Sequence, residues 1–447
     1  MTIYTGFDVE IGGFISSTVV TAYGTADDSI DFTSRVLSIK VDTEIGLGEI
    51  GRTSVEVELD NNDGALSPDG SGTYGSYNWL AQPLFIIARA GTSNPPDRLE
   101  TDALGLKAPF FGGPIVKFDY QDDGFTSKIT LQAMDWLSFF ARYTAQAAST
   151  ETDTTFGVID NLAEDVKVAP YGAAQTGVTE IHALGYAPEN ISLAVAKGDF
   201  LGDSVRTVSA TEGGIVYAGL LLLRRVPSTT ISQALYVVSC ITRARLVPQA
   251  GAGGDAMAGM KGTGSLSSTD LPIRKLKLEF NDKQIVTQAQ ITRTGGTSQF
   301  SYDDTVSQTY GPRSIAMSEL PFTSDTQSLN YAEYFTKRFN TASFVPSQFE
   351  ITGSMIESAA NDSALDGVKT LLHQNSHVYG ALFKPTTISW TGAGSTSNTA
   401  VVSPVRLRLS VKPEDWVMQI ICVDAASNMG FELDSTQLGV LDQNRIT

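Results

Sequence analysis

The stretch Thr53–Pro68, T-S-V-E-V-E-L-D-N-N-D-G-A-L-S-P, constrains the fold more than any other. Val55, Val57 and Leu59 alternate with Glu56, Glu58 and Asp60. Apolar side chains at every second position can be buried together only on an extended strand, whose successive side chains point to opposite faces. Asp60, Asn61, Asn62, Asp63 and Gly64 then stop it, because Asn and Asp bond their own backbone and Gly takes positive φ without steric cost. Pro68 fixes the chain as it leaves. The expectation is a half-buried strand ending in an ordered turn.

The alternation recurs. Phe7, Val9 and Ile11, and then Arg35–Val41, carry it ahead of the turn, with glycines and Asp pairs between them. This is the pattern of an antiparallel sheet with one solvated face. Leu84–Ala88 is a fully apolar strand, and the proline-bearing insert after it reads as an exposed loop. Pro109–Tyr120 reads as strand, Gly-Gly bulge, strand, and Ser127–Ala133 as another strand. Asp135 stands as an N-cap before Trp136, Leu137, Phe140 and Ala141 at helical spacing, which closes a first unit, residues 1–145.

Residues 146–283 change character. Gln146–Thr155 reads as a polar linker, Phe156–Val166 and Leu201–Ala210 as helices, Ile215–Leu223 as buried strand, and Ala250–Ser268 as a flexible Gly/Ser/Met loop. From residue 284 strands resume, at Ile285–Thr294, after Gly311, and at Gln348–Met355, Ala400–Ser410 and Trp416–Val423, with Tyr302–Tyr310 a polar stretch between. Ser324–Phe339 is the clearest helix: Ser324 caps it, and Leu329, Ala332, Phe335, Thr336 and Phe339 share a face. The result is a β-rich α+β chain, with two strand-rich units, 1–145 and 284–447, flanking a mixed α/β unit at 146–283.

Composition narrows the function. A chain of 447 residues suggests about three domains at roughly 150 residues each. Its 31 Lys+Arg against 49 Asp+Glu give a net charge of −18, which opposes sequence-independent nucleic-acid binding and docking on anionic lipid. Charged residues make up 18%, under the roughly 25% of soluble domains. Ser, Thr and Gly take their place, as in a chain that buries surface against other subunits or is rich in strands and loops. No apolar run reaches membrane-spanning length, and no signal peptide is visible at the start. Cys240 and Cys422 are expected as unpaired thiols.

Catalytic patterns fail one by one. There is no G-x-S-x-G elbow, no phosphate-binding G-x-x-x-x-G-K-[ST] and no C-x-x-C. Gly259–Gly264 matches a dinucleotide loop in composition alone. His373 and His377 are spaced for one helix face, but Gln374 stands where a zinc protease needs Glu, and His182 has no set spacing to them. As a calcium loop, Asp60–Asp63 fails. Counted from Glu58, Asp63 falls where Gly is required, and counted from Asp60, Ser71 falls where Glu is required. Asp122/Asp123 and Asp303/Asp304 sit in polar turns and read as solvated. No catalytic residue, cofactor or metal site is therefore predicted, and Asp60–Gly64 is expected as a structural turn and candidate assembly contact.

The segment V-E-V-E-L-D-N-N-D-G-A-L-S-P resembles the strand and turn near the start of minor tail and tail-hub proteins of long, non-contractile-tailed phages. Other pieces follow in that family's order. F-F-G-G-P-I-V-K-F-D-Y, I-T-L-Q-A-M-D-W-L-S-F-F-A-R, S-V-R-T-V-S-A-T-E-G-G-I-V-Y-A, Y-G-P-R-S-I-A-M and V-K-P-E-D-W-V-M-Q-I resemble its successive strands and helices. A-L-Y-V-V-S-C-I-T-R-A-R and the Gly/Ser/Met loop have no counterpart.

The resemblance implies two tail-tube-like antiparallel β-barrel or sandwich domains flanking the middle domain. It implies a homotrimer presenting six such units to a hexameric tube, without enzymatic activity, cofactor, nucleic-acid specificity or membrane anchor. The implied place is the virion's tail tip, assembled in the host cytoplasm, with the distal tail protein, the tape-measure protein and tip fibres or a spike as partners. An acidic channel wall would let DNA pass without sticking. Alternative readings are a hexameric distal tail protein and a glycan-binding or wall-degrading tail protein. Against the last, Trp79, Trp136, Trp390 and Trp416 are scattered as core residues are.

Overall fold

A computed structural model describes residues 7–12, 29–44, 51–68, 72–74, 79–80, 83–88, 106–107, 111–135, 137–138, 141–166, 190–226, 230–241, 265–267, 274–280, 285–340, 344–353, 386–391, 397–412 and 415–424. The first strands are β1 (Phe7–Gly12), β2 (Ser29–Asp31), β3 (Val36–Glu44), β4 (Arg52–Asp60), β5 (Pro83–Ala88), β6 (Leu106–Lys107), β7 (Phe111–Asp122) and β8 (Ser127–Met134). Next come β9 (Ser149–Thr154), α1 (Thr155–Val166), β10 (Asn190–Val195), α2 (Leu201–Glu212), β11 (Ile215–Val226), β12 (Thr230–Ile241), β13 (Ser265–Ser267) and β14 (Arg274–Phe280). The last are β15 (Gln288–Arg293), β16 (Gln299–Tyr302), α3 (Asp304–Tyr310), β17 (Ser314–Leu320), α4 (Asp325–Arg338), β18 (Phe344–Thr352), β19 (Thr386–Thr391), β20 (Ser397–Val411) and β21 (Trp416–Asp424).

Both ends of the chain enter one 13-stranded sheet, ordered β14-β18-β21-β20-β3-β4-β8-β7-β5-β1-β2, with β19 also on β20 and β13 on β19. They meet where β20 pairs antiparallel with β3, from Arg406↔Glu44 to Val411↔Ile39. The alternation predicted for β4 is observed: Thr53, Val55, Val57 and Leu59 are buried, and Ser54, Glu56, Glu58 and Asp60 are not. One apolar cluster joins Val41, Val55, Leu59 and Leu131 to Phe349, Leu409, Val411 and Ile420.

The two halves match about the seam. Each begins with the first strand of a hairpin (β3 or β20), followed by its partner (β4 or β21), a third antiparallel strand (β8 or β18) and a fourth (β7 or β14). Because β3 and β20 are themselves antiparallel, the halves are related by a local twofold. The chain visits them in different order, since β7 and β8 follow the seam hairpin in the first half, whereas β14 and β18 precede it in the second. Such permuted order leaves little sequence likeness for a linear comparison to find.

Phe280 at the end of β14 pairs with Phe344 at the start of β18, so residues 285–340 are inserted at the tip of that strand pair. The insert folds as its own sheet, β16-β15-β17, with α4 against β15 and β16. Ser324 and Gln327 form a capping box at the start of α4, and Phe339 closes it as predicted. The insert packs on the middle of the chain: Tyr331 Oη donates to Ala210 O at 2.6 Å, and Ser192 N to Pro321 O at 2.9 Å. There β9 pairs with β10, and α1 and α2 bury Val158, Leu162, Val205 and Val208.

Several expectations change. Gln146–Thr155 is not a linker: Ser149–Thr154 is β9, in register with Val195 to Asn190, because backbone pairing asks nothing apolar of an exposed edge. Pro109–Tyr120 is one strand from Phe111 onward, and the Gly-Gly pair lies in regular register opposite Phe85 and Leu84. Gly113 is needed because a Cβ there would meet the Met134 carbonyl oxygen; the register shift falls later, between Ile115 and Lys117. The polar stretch Tyr302–Tyr310 contains α3, capped by Asp303, whose carboxylate accepts from Val306 N at 3.0 Å. Within Ala250–Ser268, Ser265–Ser267 is strand rather than loop, and the remainder lies outside the described residues. On α4 the buried face centres on Ser328, Tyr331, Ala332 and Tyr334, leaving Leu329 half-buried.

Candidate assembly surface

The turn after β4 is held by its own bonds. Asp60 Oδ1 accepts from Asn62 N at 3.0 Å and Asp63 Oδ1 from Ala65 N at 3.1 Å, each a side chain closing a turn on its own backbone. Gly64 takes φ +70°, and its N–H donates to Asn61 O at 2.8 Å. Asn61, within the expected structural turn, is fully buried. Its Oδ1 accepts from Leu66 N at 2.6 Å, and its Nδ2 donates to Ser67 Oγ at 3.2 Å and Ser127 Oγ at 3.0 Å. Asn62 Oδ1 accepts from Ser127 N at 2.8 Å. Arg35 grips Asp63 through both terminal nitrogens, at 2.8 and 2.6 Å. That guanidinium, with the Ala65 N–H, holds the Asp63 carboxyl down at about 2. The turn thus ties β4 to the start of β8 and to Arg35 beside β3, and the Asp60 and Asp63 carboxylates serve that purpose.

At the opposite end of β4, Asp135 is buried. Its Oδ1 accepts from Ser138 N at 2.7 Å, the predicted cap, while Oδ2 accepts from Thr53 N at 2.6 Å and Ser138 Oγ at 2.8 Å. Burial pushes its carboxyl above the usual range, against the pull of these donors. The bond to Thr53 is tertiary, and no local pattern announced it.

Beside this end runs the seam. Arg406 forms a bidentate pair with Asp42 (Nε–Oδ1 2.8 Å, Nη2–Oδ2 2.7 Å) and reaches Glu44 at 2.9 Å; the guanidinium lowers the Asp42 pKa. A cleft of about 500 Å³ opens over it, lined by Arg52, Met134, Ala141, Arg142, Arg206 and Arg406 together with Asp42 and Glu44. Farther along, the sheet's solvent face pairs Lys40 with Glu56 at 2.6 Å and Lys128 with Glu58 at 3.0 Å.

The remaining candidates do not converge. Asp122 and Asp123 stay at the exposed β7–β8 turn, where the Thr126 and Phe125 N–H groups lower the Asp123 pKa. Cys422 is a free, buried thiol, its pKa raised by burial, and Cys240 lies in β12, in register with Val216. His182, His373, His377, Gly259–Gly264 and Trp136 lie outside the described residues. Trp79 packs against Phe32 and Phe118, and Trp390 and Trp416 pack against the large core. Among the described residues no His, Cys, Asp or Glu cluster could hold a metal, and no helix is long and apolar enough to cross a membrane.

No family model and no curated protein matches the sequence. The fold does match solved structures. The 43 kDa tail protein of prophage MuSo2 from Shewanella oneidensis aligns with TM-score 0.50 at 10% identity, over 95% of this chain and 100% of that one. The tail protein from Neisseria meningitidis MC58 aligns with TM-score 0.52 at 9% identity, over 95% and 99%. Over 95% of its length the chain shares the fold of these prophage tail proteins, so the fold that the tail-protein resemblance implies is borne out.

Proposed function

We propose that the chain is a structural subunit of a phage tail tip, a baseplate hub that forms a homotrimer joining the tube or distal tail ring to tip fibres or a spike. The observation that carries this reading is the twofold match about the β3–β20 seam. Two similar four-stranded units in one chain let three copies meet a sixfold ring, which reconciles the symmetries of the two assemblies. We assign the solvent face of the large sheet to the DNA channel. Its carboxylates at positions 42, 56 and 58 are each paired with a cation, so on this face the expected acidic wall becomes a charge-balanced one. The turn Asp60–Gly64 closes one rim of this face and is the assigned contact with a neighbouring ring.

Imaging of assembled tips tests the reading by copy number. Three copies per tip are expected; six would replace the hub with a distal tail ring. The role is structural in this proposal, and cleavage of host peptidoglycan by the purified chain would overturn that part.

A further inference from the structure

The β7–β8 turn carries an aromatic side chain that the fold does not use. Phe125 is 96% exposed on a stiff platform. Asp123 Oδ1 accepts from Phe125 N at 2.9 Å and Thr126 N at 2.7 Å, and Asp122 Oδ1 accepts from Gly124 N at 2.8 Å. Gly124 sits at φ +81° with open space where a Cβ would be. Tyr120, itself 37% exposed, donates to Asp122 at 3.0 Å. The tip is therefore an aromatic knob on a hydrogen-bonded turn, flanked by Asp122 and Asp123, and a preorganised knob loses little entropy on docking.

The cleft beside the seam has the complementary chemistry. In a chain of net charge −18, four arginines converge on it, Arg52, Arg142, Arg206 and Arg406, with Met134 and Ala141 as apolar wall. Arg406 is engaged by Asp42 and Glu44, and Arg206 by Asp203 at 2.7 Å. Arg52 and Arg142 have no ion-pair partner among the described residues. The tip lies at Ser127 and the cleft at Met134, opposite ends of the 8-residue β8, about 25 Å apart along an extended strand. One copy cannot bring its own tip to its own cleft.

We propose that the acidic Phe125 tip of one copy docks into the arginine-lined cleft of a second copy. Phe125 lies against Met134 and Ala141, and the tip carboxylates face Arg52 and Arg142. The contact is heterologous, so it repeats head to tail and closes into a ring when the rotation permits. This rests on the reading of the chain as an assembling tail subunit and names the surfaces that assemble.

The test uses the full chain with p-benzoylphenylalanine in place of Phe125, irradiated and mapped by mass spectrometry. Cross-links between copies onto residues 134–142 are expected; cross-links elsewhere, or none between copies, overturn the proposal. Phe125→Ala and Arg142→Asp should each weaken self-association at least about tenfold, as central anchors do, and Arg142→Asp combined with Asp122→Arg should recover part of it. Unchanged association in Phe125→Ala refutes the contact. Copy number per tip is read separately: three copies with unaltered association in Phe125→Ala discards this contact and keeps the hub, whereas six discards the hub and leaves the cross-link result to stand by itself.

Discussion

Replacing Asn61 by Ala removes one side chain but unties three segments. Asn61 is 0% exposed, and its amide serves Leu66 N, Ser67 Oγ and Ser127 Oγ at 2.6, 3.2 and 3.0 Å. The Leu66 N–H loses its side-chain acceptor in a buried site, which costs about 1–3 kcal/mol. The two hydroxyls can turn toward other partners, so their lost bonds add about 1 kcal/mol between them. A total of about 3 kcal/mol corresponds to local opening roughly 100-fold more frequent, at about 1.4 kcal/mol per tenfold. Amide hydrogen exchange resolves this by segment. Peptides covering 54–68 and 127–134 should exchange roughly 100-fold faster in Asn61→Ala, while those of α4 stay unchanged. Asn62→Ala is the control. It loses a bond from Ser127 N in an exposed site, where water substitutes, and should cost under about 1 kcal/mol. Equal acceleration in both variants would refute the claim that burial, and not turn propensity, gives Asn61 its weight.

Two further predictions concern the seam and acid. Leu409→Ala, at a 2% exposed position opposite Val41, should destabilise by about 2–5 kcal/mol, whereas Arg406→Ala, in a half-exposed ion pair, should cost about 1 kcal/mol or less; urea unfolding with the reverse order would show that charge and not packing holds the halves together. Asp63 has a folded pKa of about 2, below the unfolded value of about 3.9, so its contribution is complete above pH 4 and disappears as pH falls through 2. With 54% of the side chain exposed, that contribution is under about 1 kcal/mol. The urea midpoints of the native protein and Asp63→Asn should therefore converge between about pH 4 and pH 2, and a constant gap across that range would exclude the Arg35 pair as its source.

Local order was legible wherever one segment holds its own signal. The alternation of β4, the Ser324 cap with its helix, the Asp135 cap and the helix that starts at Leu201 needed only neighbours in sequence, and all are present. What failed lacked a local signal. Ser149–Thr154 is polar and becomes a strand through β10, some 40 residues away. Gly112 and Gly113 look like a bulge until their regular register with β5 and the Met134 carbonyl beside Gly113 are seen. Asp304–Tyr310 is a short helix with no buried residue, so no apolar stripe marks it.

The sequence by itself determined which stretches extend, where they turn and that the chain resembles phage tail proteins, because period, turn chemistry and motif order are properties of adjacent residues. Only the tertiary structure decided that the two strand-rich ends share one sheet, since the ladder from Ile39 to Glu44 against Val411 to Arg406 joins residues more than 360 positions apart. It also decided the fate of Asp60–Gly64. Turn residues specify a turn, but whether their side chains face solvent, an ion or the core depends on what crosses beside them. Here Arg35 and the start of β8 cross, and they convert an apparently open acidic loop into a closed joint.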